Sequence, residues 1–356
     1  MVQAPQSGSR PALDFFPPPA QPRAFAVQRC INNAAEAALA GLPLGCGGGA
    51  LARPVVAIGN FDGVHAGHRA VIAACRALAD ELGRPAAMLT FAPHPRSFFN
   101  PDKPVFRITP DGVEETLLAR LGLDGMIVLP FNAALAAMTA QSFFDDLLVR
   151  GLGVSGVVVG HDFHFGKGRE GSPAYLTARG ASAGVPVRIV ARVSDGAGEA
   201  DAVSSSRIRA ALRQGDIAAA NALLGYRWFV RGEVRHGQKI GRTLNYPTAN
   251  MRLPDDCQLV HGIYAVRVLV DGAVHGGVAS FGRRPTFDNG APLLESFLFD
   301  FSGDLYGKTL DVEFLAFLRG EAKFDSIDDL VRQMDRDSAD ARRILAANPP
   351  PPSVLG

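Results

Sequence analysis

The sequence predicts an α/β unit built on a parallel sheet, followed by a small antiparallel β unit and a terminal helix. Three observations carry that prediction. From residue 54 to 193, short β-branched apolar runs alternate with stretches whose apolar residues recur at helical spacing. That alternation is the mark of βαβ units whose sheet is covered on both faces. From Tyr226 onward the chain turns to short β-rich runs punctuated by Gly, Asp-Gly and Asn-Gly, which predicts hairpins in a barrel or sandwich. The length, 356 residues, suits about two domains at roughly 150 residues each.

Each element follows in order. Residues 1–22 are rich in Pro, Ser, Gln and Gly without periodicity, and are expected to form a disordered arm. A short helix through INNAAEAALAGL is broken by the glycine-rich residues 45–50. PVVAIGN (54–60) is a strand running into a turn, HRAVIAACRALADEL (68–82) a helix and PAAMLTF (85–91) a strand. EETLLARLGL (114–123) is a helix, GMIVLPF (125–131) a strand, AQSFFDDLLVRGL (140–152) a helix and GVVVGHDF (156–163) a strand, with VPVRIVARV (185–193) beyond. SSSRIRAALRQGDIAAANALLG (204–225) reads as one Ser-capped helical stretch ending at Gly225. The expected domains are therefore 23–225 and 226–347, with a final helix from about Ser326 to Ala347 and a flexible tail at 348–356.

Composition narrows the function. The chain is 47% hydrophobic and 20% charged, and 36 basic against 35 acidic residues leave a net charge of +1. A dedicated nucleic-acid surface would need a basic excess, and so would a polybasic membrane-binding face. No apolar run approaches the roughly 20 residues of a spanning helix. The N-terminus lacks a basic-then-apolar signal layout, so a cytoplasmic location is expected. Cys30, Cys46, Cys75 and Cys257 are far apart and form no CxxC pair. They are expected to be reduced structural thiols rather than a disulfide framework or a zinc site.

The sharpest local feature is AIGNFDGVHAGHRAVI (57–72). A strand ends at Gly59, turns through Asn60, Phe61, Asp62 and Gly63, and meets His65 and His68 as a helix begins. Backbone amides at a helix N-terminus suit a phosphate, and Gly67 allows close approach to the backbone. Two imidazoles three residues apart can reach the same phosphate oxygens. A zinc pair would space its histidines by four with a Glu between; an ordinary βα turn is the other alternative. The HAGH segment resembles the HxGH signature of the nucleotidyltransferase superfamily, in which two histidines stabilise the α-phosphate of a nucleoside triphosphate during in-line attack. TFAPHP (90–95), VVGHDFHFGKGREGS (158–172) and VSSSRIRAAL (203–212) follow in order. Over roughly 54–225 the series resembles the N-terminal module of the bacterial bifunctional riboflavin kinase/FAD synthetase family.

That resemblance implies a Rossmann-like nucleotidyltransferase domain with His65 and His68 catalytic. It places Gly59, Asn60, Phe61, Asp62, Gly63 and Gly67 around ATP. Ser205, Ser206 and Arg209 match the serine-rich turn that binds the triphosphate tail; the family often has Thr at Ser206, which keeps the hydroxyl. Asp162 and His94 are expected to line the substrate pocket, and His161 and His164 to wall it rather than bind metal.

The β-rich half carries a second phosphate apparatus. In GEVRHGQKIGRTLNYPTANM (232–251), Gly237, Lys239, Gly241 and Arg242 form a basic segment able to cover phosphates. It runs into Pro247-Thr248-Ala249-Asn250, where Thr248 and Asn250 share one strand face. Both offer hard oxygens suited to Mg²⁺, although a lone PTAN is also consistent with a plain turn. GIYAV (262–266), Gly282-Arg283-Arg284-Pro285-Thr286, LLESFLFDF (293–301) and FLAFLRGEAKF (314–324) follow. The series, over about 228–345, resembles the flavokinase module of the same family, a β-barrel with a terminal helix. The resemblance implies that Thr248 and Asn250 hold the metal–nucleotide complex, that Glu295 is the catalytic base and that Arg284 lines the substrate pocket. Two residues depart from the family pattern: Asn245 stands where Gly is usual, and Phe297 where His is common.

The implied enzyme phosphorylates riboflavin with ATP to FMN, then adenylylates FMN with ATP to FAD and pyrophosphate. It uses Mg²⁺ with ATP, with no zinc or haem and no nucleic-acid or membrane partner. The residue types agree with the chemistry. A ribityl hydroxyl must lose a proton, so the kinase site needs a carboxylate. The FMN phosphate is already ionised, so the other site needs orientation and charge stabilisation. A nucleotidyltransferase acting on pantetheine phosphate or nicotinate mononucleotide leaves the PTAN half unexplained. A non-catalytic flavin-binding half is the reading from another class.

Overall fold

The computed structural model describes residues 24–193, 203–236, 246–283 and 291–349. The expected arm at 1–22 lies outside them, as do Gly237, Lys239, Gly241, Arg242, Asn245, Arg284 and the tail from 350.

The first half is a six-stranded, wholly parallel sheet in the order β1-β4-β3-β2-β5-β6. Its strands are β1 (Ala26–Arg29), β2 (Val55–Ile58), β3 (Ala86–Ala92), β4 (Gly125–Pro130), β5 (Gly156–Gly160) and β6 (Val187–Val190). The helices are α1 (Ala34–Leu39), α2 (Ala66–Leu82), α3 (Pro95–Phe99), α4 (Val113–Arg120), α5 (Ala133–Ala137) and α6 (Ala140–Ser142). After α6, residues Phe143–Gly151 continue as a π-helix; then come α7 (Pro173–Ala183), α8 (Ser205–Gln214) and α9 (Ile217–Leu224).

Alternation along each strand separates two cores. Val55, Ala57, Met88 and Val158 face Ile72 and Cys75 of α2, whereas Val56, Ile58, Leu89 and Val157 face Phe144 and Leu147 on the other side. Strand order reverses between β2 and β5, so the loops beyond their carboxyl ends diverge and open a crevice there.

Three expectations are corrected. The edge strand β1 was not anticipated: AVQR alternates half-buried and exposed residues and carries little apolar signal. The helical stretch 204–225 is two helices, because Gly215 takes a left-handed φ of 75° and Asp216 caps α9 by accepting from the Ala219 N–H at 2.9 Å. Cys30 and Cys46 form a disulfide rather than standing reduced. The hairpin-like return through α1 brings their Cα atoms to 4.9 Å across 16 residues, a spacing that bridges readily. Cys75 and Cys257 are buried thiols, each pushed up to about 12 by burial.

The second half is a closed antiparallel barrel, β10-β11-β8-β7-β12-β9. Its strands are β7 (Phe229–Arg235), β8 (Thr248–Arg252), β9 (Gly262–Val270), β10 (Ala273–Arg283), β11 (Pro292–Leu298) and β12 (Thr309–Arg319). Met251, Val266, Phe281, Leu294, Val312 and Phe314 fill its interior. The terminal helix α10 (Ile327–Ala347) is capped by Ser326 and lies on the barrel's outer wall, where Ala341 packs beside Ala265 and Phe299. Arg319 of β12 ties it down through Asp337 at 2.7 Å. One buried core runs through both halves: Phe106, Ile108 and Leu224 from the sheet side meet Trp228 and Phe314 from the barrel.

Candidate functional site

The first site sits at the carboxyl end of β2. His65 is the N-cap of α2, in extended backbone, and its side chain makes no cap bond. His68 is in the first turn, and the two rings stack with centroids 3.7 Å apart. Phe61 meets the His68 ring edge-on at 5.2 Å. A Cβ on Gly67 would approach the His65 ring at 3.3 Å, so this glycine clears space for the imidazole itself.

Burial keeps both histidines neutral. His65 is pushed down to about 4 by desolvation, reinforced by the charge of Arg69. His68 lies well below its usual value from burial and from its stacked partner. The Nδ1 atoms of both rings and the Asn60 Oδ1 are buried without a hydrogen-bond partner among the described residues. Buried polar atoms are normally satisfied, so three such atoms gathered at one helix start point to a ligand that satisfies them.

The loop between β2 and α2 is held from below. The Asp62 carboxylate accepts from the Thr109 N–H at 2.9 Å and from an Arg209 guanidinium N–H at 2.5 Å. Arg209 also donates to the Phe106 carbonyl at 2.6 Å. Asp62 and Arg209, expected to contact phosphate, are 5% and 6% exposed and are spent on each other; as placed, they brace the loop from beneath. Ser205 donates to the Asp62 carbonyl at 2.8 Å, and Ser204 caps α8. Ser206 is exposed on the first turn of that helix. Gly63, at φ 90°, donates to Thr109 Oγ1 at 3.0 Å.

His94 caps α3 by accepting from the Arg96 N–H at 3.1 Å, and burial pushes it down to about 4. Asp162 is exposed beyond β5, where its carbonyl lies 2.9 Å from His164 Nδ1. Past the end of β2, Gly59 and Asn60 are half-buried and Phe61 is buried in the core.

A feature missed from sequence lies beyond β3 and β4. Phe98, Phe99 and Phe131 meet edge to face at 5.2–5.8 Å, with Phe99 63% exposed. The adjacent phenylalanines of RSFFNP were the available signal; their meeting with Phe131 was not local.

The second site is a ladder of side chains on the barrel's outer wall. Glu295 of β11 lies directly across from Asn250 of β8, and Phe297 from Thr248. Leu294, Ser296 and Leu298 are buried toward the interior while Glu295 and Phe297 alternate outward. Thr248, Asn250 and Glu295 therefore share one face within cross-strand reach, about 4.5–5.5 Å between Cβ atoms. On the far side of Glu295 stands Ser280 of β10. The Asn250 Nδ2 donates to the Thr248 carbonyl at 3.2 Å, which uses the amide's donor side and leaves its oxygen as the acceptor. The Tyr246 ring lies tilted against Phe297, with centroids 4.7 Å apart, and its hydroxyl hydrogen-bonds Asp335 of α10.

An acid-side stability prediction arises from the first site. In the unfolded chain His65 takes a proton near 6.5, but in the folded chain only near 4. Its folded pKa is depressed, so its contribution is complete above pH 6.5 and lost as pH falls through 4. The shift is worth about 3 kcal/mol. Urea midpoints measured from pH 7 to 4 should fall, and His65→Gln should flatten the slope; an unchanged slope would show that His65 is not buried neutral.

A parallel α/β sheet with a paired-histidine helix start, joined to a closed barrel with a hydroxyl–amide–carboxylate ladder, defines a two-site phosphate-transfer protein. Comparison with known proteins makes this specific. The FAD synthetase family model matches residues 50–207 and the riboflavin kinase model residues 224–345. A bifunctional riboflavin kinase/FMN adenylyltransferase from Pseudomonas fluorescens is 41% identical over 294 residues, 82% of this chain and 93% of that protein. The Listeria monocytogenes protein of that name is 38% identical over 82% of this chain and 92% of its own length. A solved structure from Streptococcus pneumoniae, described as a macrolide-efflux protein, superposes with a TM-score of 0.71 at 32% identity, over 84% of this chain and 95% of that one. Among the described residues, no helix is long and apolar enough to cross a membrane. The chain belongs to the bifunctional riboflavin kinase/FMN adenylyltransferase family, enzymes that take riboflavin to FMN and FMN to FAD.

Proposed function

We propose that the two reactions divide between the two sites by the kind of nucleophile each must handle. At the barrel, Glu295 accepts the proton of the ribityl hydroxyl as that oxygen attacks the γ-phosphate of ATP, the bond to the β,γ-bridging oxygen breaks and ADP leaves. General-base help of this kind is worth about 10²–10⁴-fold. Its position opposite Asn250 in the β8–β11 ladder carries the assignment, because it sets the base beside the metal–nucleotide ligands.

A divalent cation fits the Thr248 hydroxyl and the Asn250 amide oxygen, both hard donors, and Mg²⁺ is the natural choice since it takes few protein ligands beside phosphates and water. When bound, it neutralises charge on the transferred phosphoryl. Lys239 and Arg242, outside the described residues, would cover the same phosphates.

At the sheet, the FMN phosphate attacks the α-phosphate of ATP and pyrophosphate leaves. No base is needed. His65 and His68 orient the α-phosphate and donate hydrogen bonds as charge builds on its oxygens, with the α2 N-terminus adding its partial positive charge. Ser205 and Ser206 face the triphosphate tail from the start of α8. The aromatic surface of Phe98, Phe99 and Phe131 offers the flavin ring a stacking face, with His94 at the start of the helix that carries Phe98 and Phe99 and Asp162 close enough to His65 to act on its charge.

Incubating the purified protein with riboflavin, Mg²⁺ and ATP and resolving the flavins tests the scheme. FMN should appear first and FAD after it. FMN without FAD would remove the transferase assignment, and no conversion would favour a flavin-binding role.

A further inference from the structure

We infer that Tyr226, the third residue of the segment matched as riboflavin kinase, is a positioning residue for adenylyl transfer at the other site. The inference rests on the HAGH loop being the adenylyl-transfer site. The Tyr226 hydroxyl donates to the Gly63 carbonyl at 3.0 Å, two residues before His65. It is buried, 2% exposed, so that bond is made without competition from water.

The contact closes a frame around the loop. On one side the Gly63 N–H is held by Thr109 at 3.0 Å; on the other its carbonyl is held by Tyr226, so the peptide units on both sides of Gly63 are fixed. Arg69, one residue past His68, donates to the Val64 carbonyl at 3.1 Å and to the Leu224 carbonyl at 2.6 Å. The start of α2 is thereby fastened to the end of α9, two residues before Tyr226. Trp228 repeats the pattern one step on, its indole N–H donating to the Ile108 carbonyl at 2.8 Å. A Cβ on Gly63 would touch Ile108 at 3.2 Å and Leu224 at 3.4 Å, so the loop is packed as well as bonded there.

Val64, between Gly63 and His65, holds a positive φ of 39°, unusual for a β-branched residue. That conformation persists only where surrounding contacts hold it, and the bonds to Gly63 and Val64 are those contacts. Releasing one lets Val64 relax and turns the His65 cap. Small misplacements of catalytic groups cost rate more than affinity, up to about 100-fold for an ångström.

The test is Tyr226→Phe in the full-length protein, which removes the hydroxyl and keeps the ring. The kcat for FAD formation should fall about tenfold or more, with the KM for FMN and the kinase kcat within about twofold of wild type. Tyr264→Phe is the matched control: that hydroxyl is also buried and also donates to a backbone carbonyl, of Val260, but inside the barrel. It should lower thermal stability without selective loss of FAD formation. Unchanged FAD formation in Tyr226→Phe, or equal loss in both variants tracking the folded fraction, would overturn the inference. His68→Ala separates the layers: full FAD formation in that variant would remove the site reading itself, whereas an inactive His68→Ala beside an active Tyr226→Phe would remove only the role of Tyr226.

Discussion

Replacing Glu295 by alanine is expected to stop FMN formation while FMN added directly is still converted to FAD. The kinase kcat should fall by about 10²–10⁴-fold, the usual worth of a positioned general base. Glu295 lies on the outer wall of β11, so the substitution leaves the barrel interior of Leu294, Ser296 and Leu298 untouched. The FMN-to-FAD rate should stay within about twofold, because that reaction starts from an ionised phosphate and uses no base. Steady-state assays with riboflavin and with FMN as separate substrates decide the matter. Parallel loss of both rates would contradict two independent sites.

His68→Ala should do the reverse. Its ring is stacked on His65 and edged by Phe61, with a buried Nδ1 that has no partner among the described residues. Removing one preorganised donor to a developing oxyanion typically costs about 10²–10³-fold in kcat. FAD formation should drop by that factor with riboflavin phosphorylation unchanged. Because the imidazole is held neutral by burial, the wild-type rate of FAD formation should show no loss between pH 6 and 8 from its deprotonation. A rate that falls through 6.5 would mean that a charged histidine does the work.

Much of this was legible in the chain because it is local. His65 and His68 are fixed in relation to each other by one helical turn, and Thr248 and Asn250 by the two-residue repeat of a strand. The parallel sheet followed from strands and helices alternating, whereas the glycine-dense hairpins fitted a barrel or a sandwich and only the family resemblance chose the barrel. What could not be read is non-local. Asp62 and Arg209 are 147 residues apart, and Tyr226 and Gly63 are 163 apart; nothing near either residue announces its partner. Arg209 was expected at the phosphate only through the family resemblance, and its guanidinium here turns inward to a buried carboxylate. The split at Gly215 was legible after all: a glycine followed by an N-capping aspartate is the punctuation of one helix ending and another starting. Glu295 was identified only through its family resemblance, and its pairing with Asn250 needed the ladder to be seen.

The uninterrupted interior joining Ile108 and Leu224 to Trp228 and Phe314 has a consequence for the protein's life in a cell. Proteases act on opened chains, and a chain whose halves share their packing has no cheap way to open one half alone. Both activities then age on a single clock and are cleared in the same event. The number of kinase sites and the number of transferase sites stay equal from synthesis to degradation.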